Sequence, residues 1–321
     1  MYKKLLLLIA LIFSGCADIH QTIYLQNVDV NGPLNHPPIY ISDGRNGITV
    51  SPWLSFNSNK QITGRSNHSK VNASGVYQVD TISNGGQIYY GESSANYYEY
   101  NQNNVKWNLP DVKAGVDVDL PVSRTISIFG SFNYTSQNLY QIVGGSFGFG
   151  FYSVKNSDAI CLNIGCTIQQ YQYDVTTVVV STIDPLFGKE YTQVDFFHDI
   201  DKKSNLNFFG NLTYNTVSAD LPINFFFSVA FFSQTLLDIA PENPNKAYYP
   251  FGITTTTTDT RGEISTTYFS FSPGVYVNIT PSMRFVLGVN IVKDLGDFTS
   301  ESGTFTSGLL MMPLAKIDLM F

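Results

Sequence analysis

Charge is what this chain has least of: of its 321 residues only 13% are Asp, Glu, Lys or Arg. Soluble domains carry roughly a quarter, so this surface is short of the groups that face water, which fits a transmembrane β-barrel and also a secreted β-sandwich. Long apolar runs are missing too. Past the first 15 residues nothing reaches the ~18 consecutive apolar positions of a spanning helix, and a helical membrane protein is excluded with it. The net charge is −7 with no basic cluster, which excludes nucleic acid as a partner, because phosphate binding needs a concentrated positive patch. Cysteine is scarce: Cys16, Cys161 and Cys166. The last two stand five apart in "CLNIGC". Odd spacing along a strand puts them on opposite faces, so they cannot bridge to each other. No histidine lies near them, so no metal is expected and both read as packing residues.

What is abundant is aromatic. There are 24 Phe and 20 Tyr, and the apolar residues recur with period two, the side-chain period of a strand. In "KAGVDVDLP", Val116, Val118 and Leu120 face one way, and Lys113, Gly115, Asp117 and Asp119 the other. "TISIFGSFNY" sets Ile126, Ile128, Phe132 and Tyr134 against Ser127, Ser131 and Asn133. "VGGSFGFGF" sets Val143, Phe147, Phe149 and Phe151 against Gly144, Ser146, Gly148 and Gly150. The same alternation runs through most of residues 46–321. The face opposite the apolar one is Gly, Ser, Thr and Asn, where a soluble sandwich would solvate it with charge. Small neutral groups suit a narrow, wet or packed barrel interior. The expected fold is all-β: an antiparallel up-and-down transmembrane β-barrel.

Connection lengths count the strands. Short links ("PVS", "NSD", "SADLP", "TPSM") alternate with connections that are mostly long, near 58–105, 174–204, 238–262 and 294–305. Transmembrane barrels put short turns on the periplasmic side and long loops outside. That assignment gives about ten strands, with both termini periplasmic. A further hairpin from "GVYQVDTIS" and "GQIYYGE" inside 58–105 would make twelve. Pro52, Pro273 and Pro313 fall within strand patterns and call for bulges or local unpairing. Residues 16–45 lack periodicity, and "NGPLNHPP" reads as an extended periplasmic linker ahead of the barrel.

The first 15 residues, with Lys3 and Lys4 ahead of an apolar stretch, are a signal peptide. The ending Ser14-Gly15-Cys16 resembles the lipobox of bacterial lipoproteins, with Phe13 where that family usually has Leu. The resemblance implies cleavage before Cys16, lipid on its thiol and amine, and, from Ala17 rather than Asp after the cysteine, residence in the outer membrane on the periplasmic side. The last strand ends Ile317, Leu319, Phe321 at alternate positions, similar to the C-terminal signal of Gram-negative outer-membrane barrels. The implied partners are outer-membrane lipids and the lipoprotein-processing and barrel-assembly machineries. The leader also resembles those of uncharacterised barrel lipoproteins of Bacteroidetes-like bacteria.

Little in the sequence carries chemistry. His20, His36, His68 and His198 all fall outside the predicted strands, so a Ser/His site on the barrel wall has no support. "VDFFHDIDKK" gathers Asp195, His198, Asp199 and Asp201 near Glu190 and reads as a solvated acidic loop. Aromatic loop segments such as "NKAYYPFG" suit contact with an extracellular ligand or with the membrane interface. The inward charges say more. Asp117, Asp119, Arg124, Arg284, Lys316 and Asp318 all fall near the short-turn mouth, as an ion-paired layer that ties strands together or as a solute-selecting constriction. Ten strands leave little lumen once Trp53, Phe129, Phe209, Phe226, Phe232 and Tyr276 point inward. The expected function is a narrow or plugged barrel that displays loops, without catalysis or cofactor. A small-solute channel is the alternative, and an outer-rim hydrolase a distant one.

Overall fold

Strands with one apolar and one small polar face satisfy both faces only by closing a ring whose apolar side looks outward. The computed structural model describes residues 17–42, 47–58, 61–66, 70–72, 75–82, 87–93, 96–99, 105–137, 140–155, 158–185, 191–217, 223–239, 254–258, 262–295, 303–305 and 308–321. Ten strands form the wall. They are β1 (Thr49–Phe56), β2 (Val112–Pro121), β3 (Ile126–Gln137), β4 (Tyr140–Lys155) and β5 (Asp158–Pro185). β6 (Tyr191–Thr216), β7 (Asn224–Ile239), β8 (Gly262–Thr280), β9 (Met283–Asp294) and β10 (Leu309–Met320) complete them. Each pairs antiparallel with the next, and β10 returns to β1 through Lys316↔Trp53 and Leu319↔Val50, which closes the barrel.

The alternation lands as expected. Phe132, Phe147, Phe149, Phe208, Phe225 and Phe231 stand on the outer surface, Phe208 at 64% exposure. Their neighbours Asn133, Ser146, Asn207, Asn224 and Ala230 are buried inside. Phe129, Phe209, Phe226, Phe232 and Tyr276 are buried in the lumen, and inward glycines make room for them: a Cβ on Gly274 would overlap the Phe226 ring. Cys161 is buried while Cys166 is partly exposed, and both are free thiols. The prolines cause no bulge. Register runs unshifted past Pro52, Pro273 and Pro313, with pairs lost beside Pro52 toward β10 and at Pro273 toward β9. A missing N–H removes a ladder bond without inserting a residue, so local unpairing suffices.

The expected connection at 174–204 is an extension of the wall. β5 and β6 continue as a paired hairpin from Tyr173↔Asp201 to Ile183↔Tyr191. The hairpin expected within 58–105 exists as Gly75–Ile82 with Gln87–Ser93. It joins the projecting part of β6 through Val194↔Val79 and stays out of the barrel ring, so the wall keeps ten strands.

The expected linker is where the reading changes most. Ala17–Asn31 is a strand laid antiparallel along projecting β5, from Ala17↔Pro185 to Asn31↔Gln172. Residues 32–42 then run down the lumen, largely buried, to the short-turn end. The segment between 16 and 45 is therefore mostly ladder and plug. Ala17 and Phe321 lie at opposite ends of the barrel, where the topology alone had put both termini together. Cys16 itself lies outside the described residues.

Candidate functional site

The plug is a segment with few donors to satisfy. Pro33, Pro37 and Pro38 carry no N–H, which suits a chain that has no ladder partner in a closed space. The remaining polar groups meet the wall. The Asn35 amide donates to Gln234 Oε1 (2.8 Å) and the Ser42 amide to Asn215 Oδ1 (3.3 Å). Asn211 Nδ2 donates to Pro38 O (2.9 Å) and Asn215 Nδ2 to Ser42 O (2.8 Å). At the entry, Trp107 Nε1 donates to Gly32 O (2.9 Å), and a Cβ on Gly32 would overlap the Tyr171 ring. His36 Nδ1 faces Pro37 O at 2.8 Å. A carbonyl only accepts, so Nδ1 holds the proton. Nε2 then receives the hydroxyls of Ser270 (3.0 Å) and Ser272 (3.3 Å).

Three cations hold the plug by its carbonyls. Lys113 Nζ donates to Leu34 O (3.3 Å), Lys316 Nζ to Ile39 O (2.8 Å) and Arg284 to Ile41 O (2.8 Å). Each also lies over a ring: Lys113 over Trp53 (5.6 Å), Arg284 over Tyr276 (5.2 Å), Lys316 over the plug's own Tyr40 (5.0 Å). Such contacts are worth about 2 kcal/mol when desolvated.

The expected inward charges meet at that level. Lys316 Nζ lies 3.2 Å from Asp117 Oδ2 and 3.6 Å from Asp318 Oδ1, and Arg284 pairs with Asp318 Oδ2 at 2.6 Å. Ser51 Oγ donates to Asp318 (2.8 Å) and Trp53 Nε1 to Asp117 (2.8 Å). All four charged side chains are buried, and the two cations match the two anions. Asp119 stands apart from this pairing: Tyr152 donates to it at 2.7 Å, and Ser127 to Tyr152 at 2.9 Å. Arg124 does not join either. It sits on the exposed turn after β2 and rims a cavity of about 260 Å³ at the short-turn mouth, with Asp119, Tyr152 and Arg284. A turn residue has no fixed face, so alternation could not place it. Ile317 faces outward on β10, and the Phe321 amide donates to Ile48 O (2.9 Å).

Beside the plug a cavity of about 50 Å³ is lined by Asn133, Ser146, Asn290, Lys113 and Asp117. Asn133 Oδ1, Ser146 Oγ and Asn290 Oδ1 find no partner among the described residues. That volume and lining suit a few waters.

Sequence reasoning missed the plug, Lys113 as its tether, and Tyr152. The signal for the plug was present in "PLNHPPIYI", which carries four large apolar residues and no charge, unlike a solvated linker. On the projecting hairpin, His198 Nδ1 lies 3.3 Å from Asp174 Oδ1 in the open, and Tyr173 donates to Asp201 (3.2 Å). His20 and His198 both fall on strands, against the expectation, because the projecting sheet extends the ladder past the membrane pattern. Among the described residues no group of three or more His, Cys, Asp or Glu gathers to hold a metal. His68, Glu190, "NKAYYPFG" and the Asp195 side chain lie outside the described residues.

No family model matches this chain, and no curated protein does. Among solved structures, outer membrane proteins match at very low identity. One is the outer membrane protease OmpT from Escherichia coli, 8% identical, covering 88% of this chain and 99% of that one with a TM-score of 0.35. Another is an outer membrane channel from Pseudomonas putida F1, 8% identical, covering 88% and 100% with a TM-score of 0.32. A third is the CymD monoaromatic hydrocarbon channel, 9% identical, covering 86% and 89% with a TM-score of 0.28.

Proposed function

We propose that this is an outer-membrane β-barrel lipoprotein whose lumen is closed by its own chain, and which acts non-catalytically through the sheet it projects outside. The observation that carries the reading is the buried segment 32–42, tied to the wall by Lys113, Lys316 and Arg284. The apolar belt facing outward supports the membrane, since water would not solvate so many exposed aromatics. The projecting hairpin and the strands laid on it offer the surface on which an extracellular partner would dock.

Single-channel conductance in a planar bilayer tests the closure, with a heat-dependent gel shift as proof that the barrel is folded. The wild-type protein is expected to be folded and silent. Replacing Ile39, Tyr40 and Ile41 together by Gly should give conducting steps. Steady ion-selective steps from the wild type, altered by Asp117→Ala or Lys316→Ala, would overturn the closed-barrel reading and make the protein a small-solute channel with the inward charges as its filter. The polar pocket beside the plug is what favours that alternative.

A further inference from the structure

The described path of the chain puts Ala17 and Phe321 at opposite ends of the barrel. Resting on the membrane and orientation proposed above, we propose that the N-terminal strand Ala17–Asn31 stands on the outer face: the protein passes through its own barrel from outside to inside before it begins to build the wall.

The levels can be followed residue by residue. Lys202 Nζ donates to Gln141 O (3.0 Å) near the start of β4, and Lys202 pairs with Gln172. This marks the rim on the long-connection side. Asn31 lies opposite Gln172 at that rim, and Ala17 lies opposite Pro185, ~40 Å further out at ~3.3 Å per strand residue. Inward from the rim the contacts descend in order. Asn35 meets Gln234, His36 meets Ser270, Pro38 meets Asn211 and Ile41 meets Arg284. Ser42 meets Asn215, whose ladder partner Ala159 sits beside the short turn between β4 and β5.

Length agrees with this path. An extended stretch from residue 32 to residue 42 reaches ~35 Å at most, enough to cross an apolar band ~25 Å tall. Ala17 therefore stands at the far end of the projecting sheet, remote from the short-turn end where the Phe321 amide meets Ile48.

Labelling of intact cells with a bulky, membrane-impermeant maleimide tests this, each variant read above the wild-type background. Asp18→Cys and Gln21→Cys probe the N-terminal strand. Asp199→Cys probes the projecting hairpin, and Val122→Cys the short turn after β2, where the side chain is 66% exposed. The expected result is labelling at 199 and at 18 or 21 in intact cells, and at 122 only after the envelope is opened. Labelling at 199 in intact cells, with 18 and 21 reached only after opening, overturns the threading and leaves the barrel's orientation standing. Labelling at 122 but not at 199 overturns the orientation, and the outer-face placement with it. If neither N-terminal position labels even after the envelope is opened, the pair Asp18→Cys with Asp184→Cys decides, since these residues are partners in the ladder. Disulfide formation by an external oxidant supports the placement, and its failure overturns it.

Discussion

Lys316 is the residue on which the lumen turns: it touches Asp117, Asp318, the carbonyl of Ile39 and the ring of Tyr40. Lys316→Met leaves two buried carboxylates short of a cation, and breaking a buried pair from one side costs about 3–5 kcal/mol. The expected outcome is a folded band lost at lower temperature in the gel-shift assay, partly restored by adding Asp117→Asn. Arg284→Lys should lose less in the same assay, because the positive charge beside Asp318 is kept, and what it does lose is the fork that reaches Asp318 and Ile41 together. The meeting of Asp117, Arg284, Lys316 and Asp318 was legible, since period-two alternation on a barrel wall leaves a side chain only in or out. What those cations bind besides carboxylate was not. A backbone carbonyl is the same in every residue, so nothing in the sequence marks Leu34, Ile39 and Ile41 as acceptors.

Among the elements, the wall strands declare themselves and the plug conceals itself. Strand alternation repeats over nine-residue stretches and survives an isolated proline such as Pro52. The plug has no partner strand, hence no period, and its prolines look like those of a free linker. Its burial comes from contacts two hundred residues away, such as Asn35 with Gln234 (separation 199). The projecting part of β5 and β6 reads as a loop from sequence because it lies beyond the outward apolar belt and drops the strict apolar alternation. Trp107→Ala tests the entry of the plug. The indole is fully buried and caps the Gly32 carbonyl, and large-to-Ala truncations of this kind cost about 3–5 kcal/mol. Limited proteolysis should then cut within the N-terminal strand while the barrel band stays intact on the gel.

For the molecule as a whole, the outward belt is the feature that any membrane reading must answer to. Phe208→Arg changes a side chain that is already on the surface, so in a water-soluble protein it would be neutral. On a lipid-facing wall it costs about 2–4 kcal/mol near the midplane. Urea unfolding in lipid vesicles should show that loss, and Val122→Arg on the exposed turn should not. The filled lumen also makes the ring and its contents interdependent. Residues 32–42 take their hydrogen bonds from Lys113 on β2, Asn211 on β6, Arg284 on β9 and Lys316 on β10. These side chains share one space only when β10 meets β1. Like a cork that holds only in an unbroken neck, the segment keeps its contacts for as long as the hoop around it stays whole.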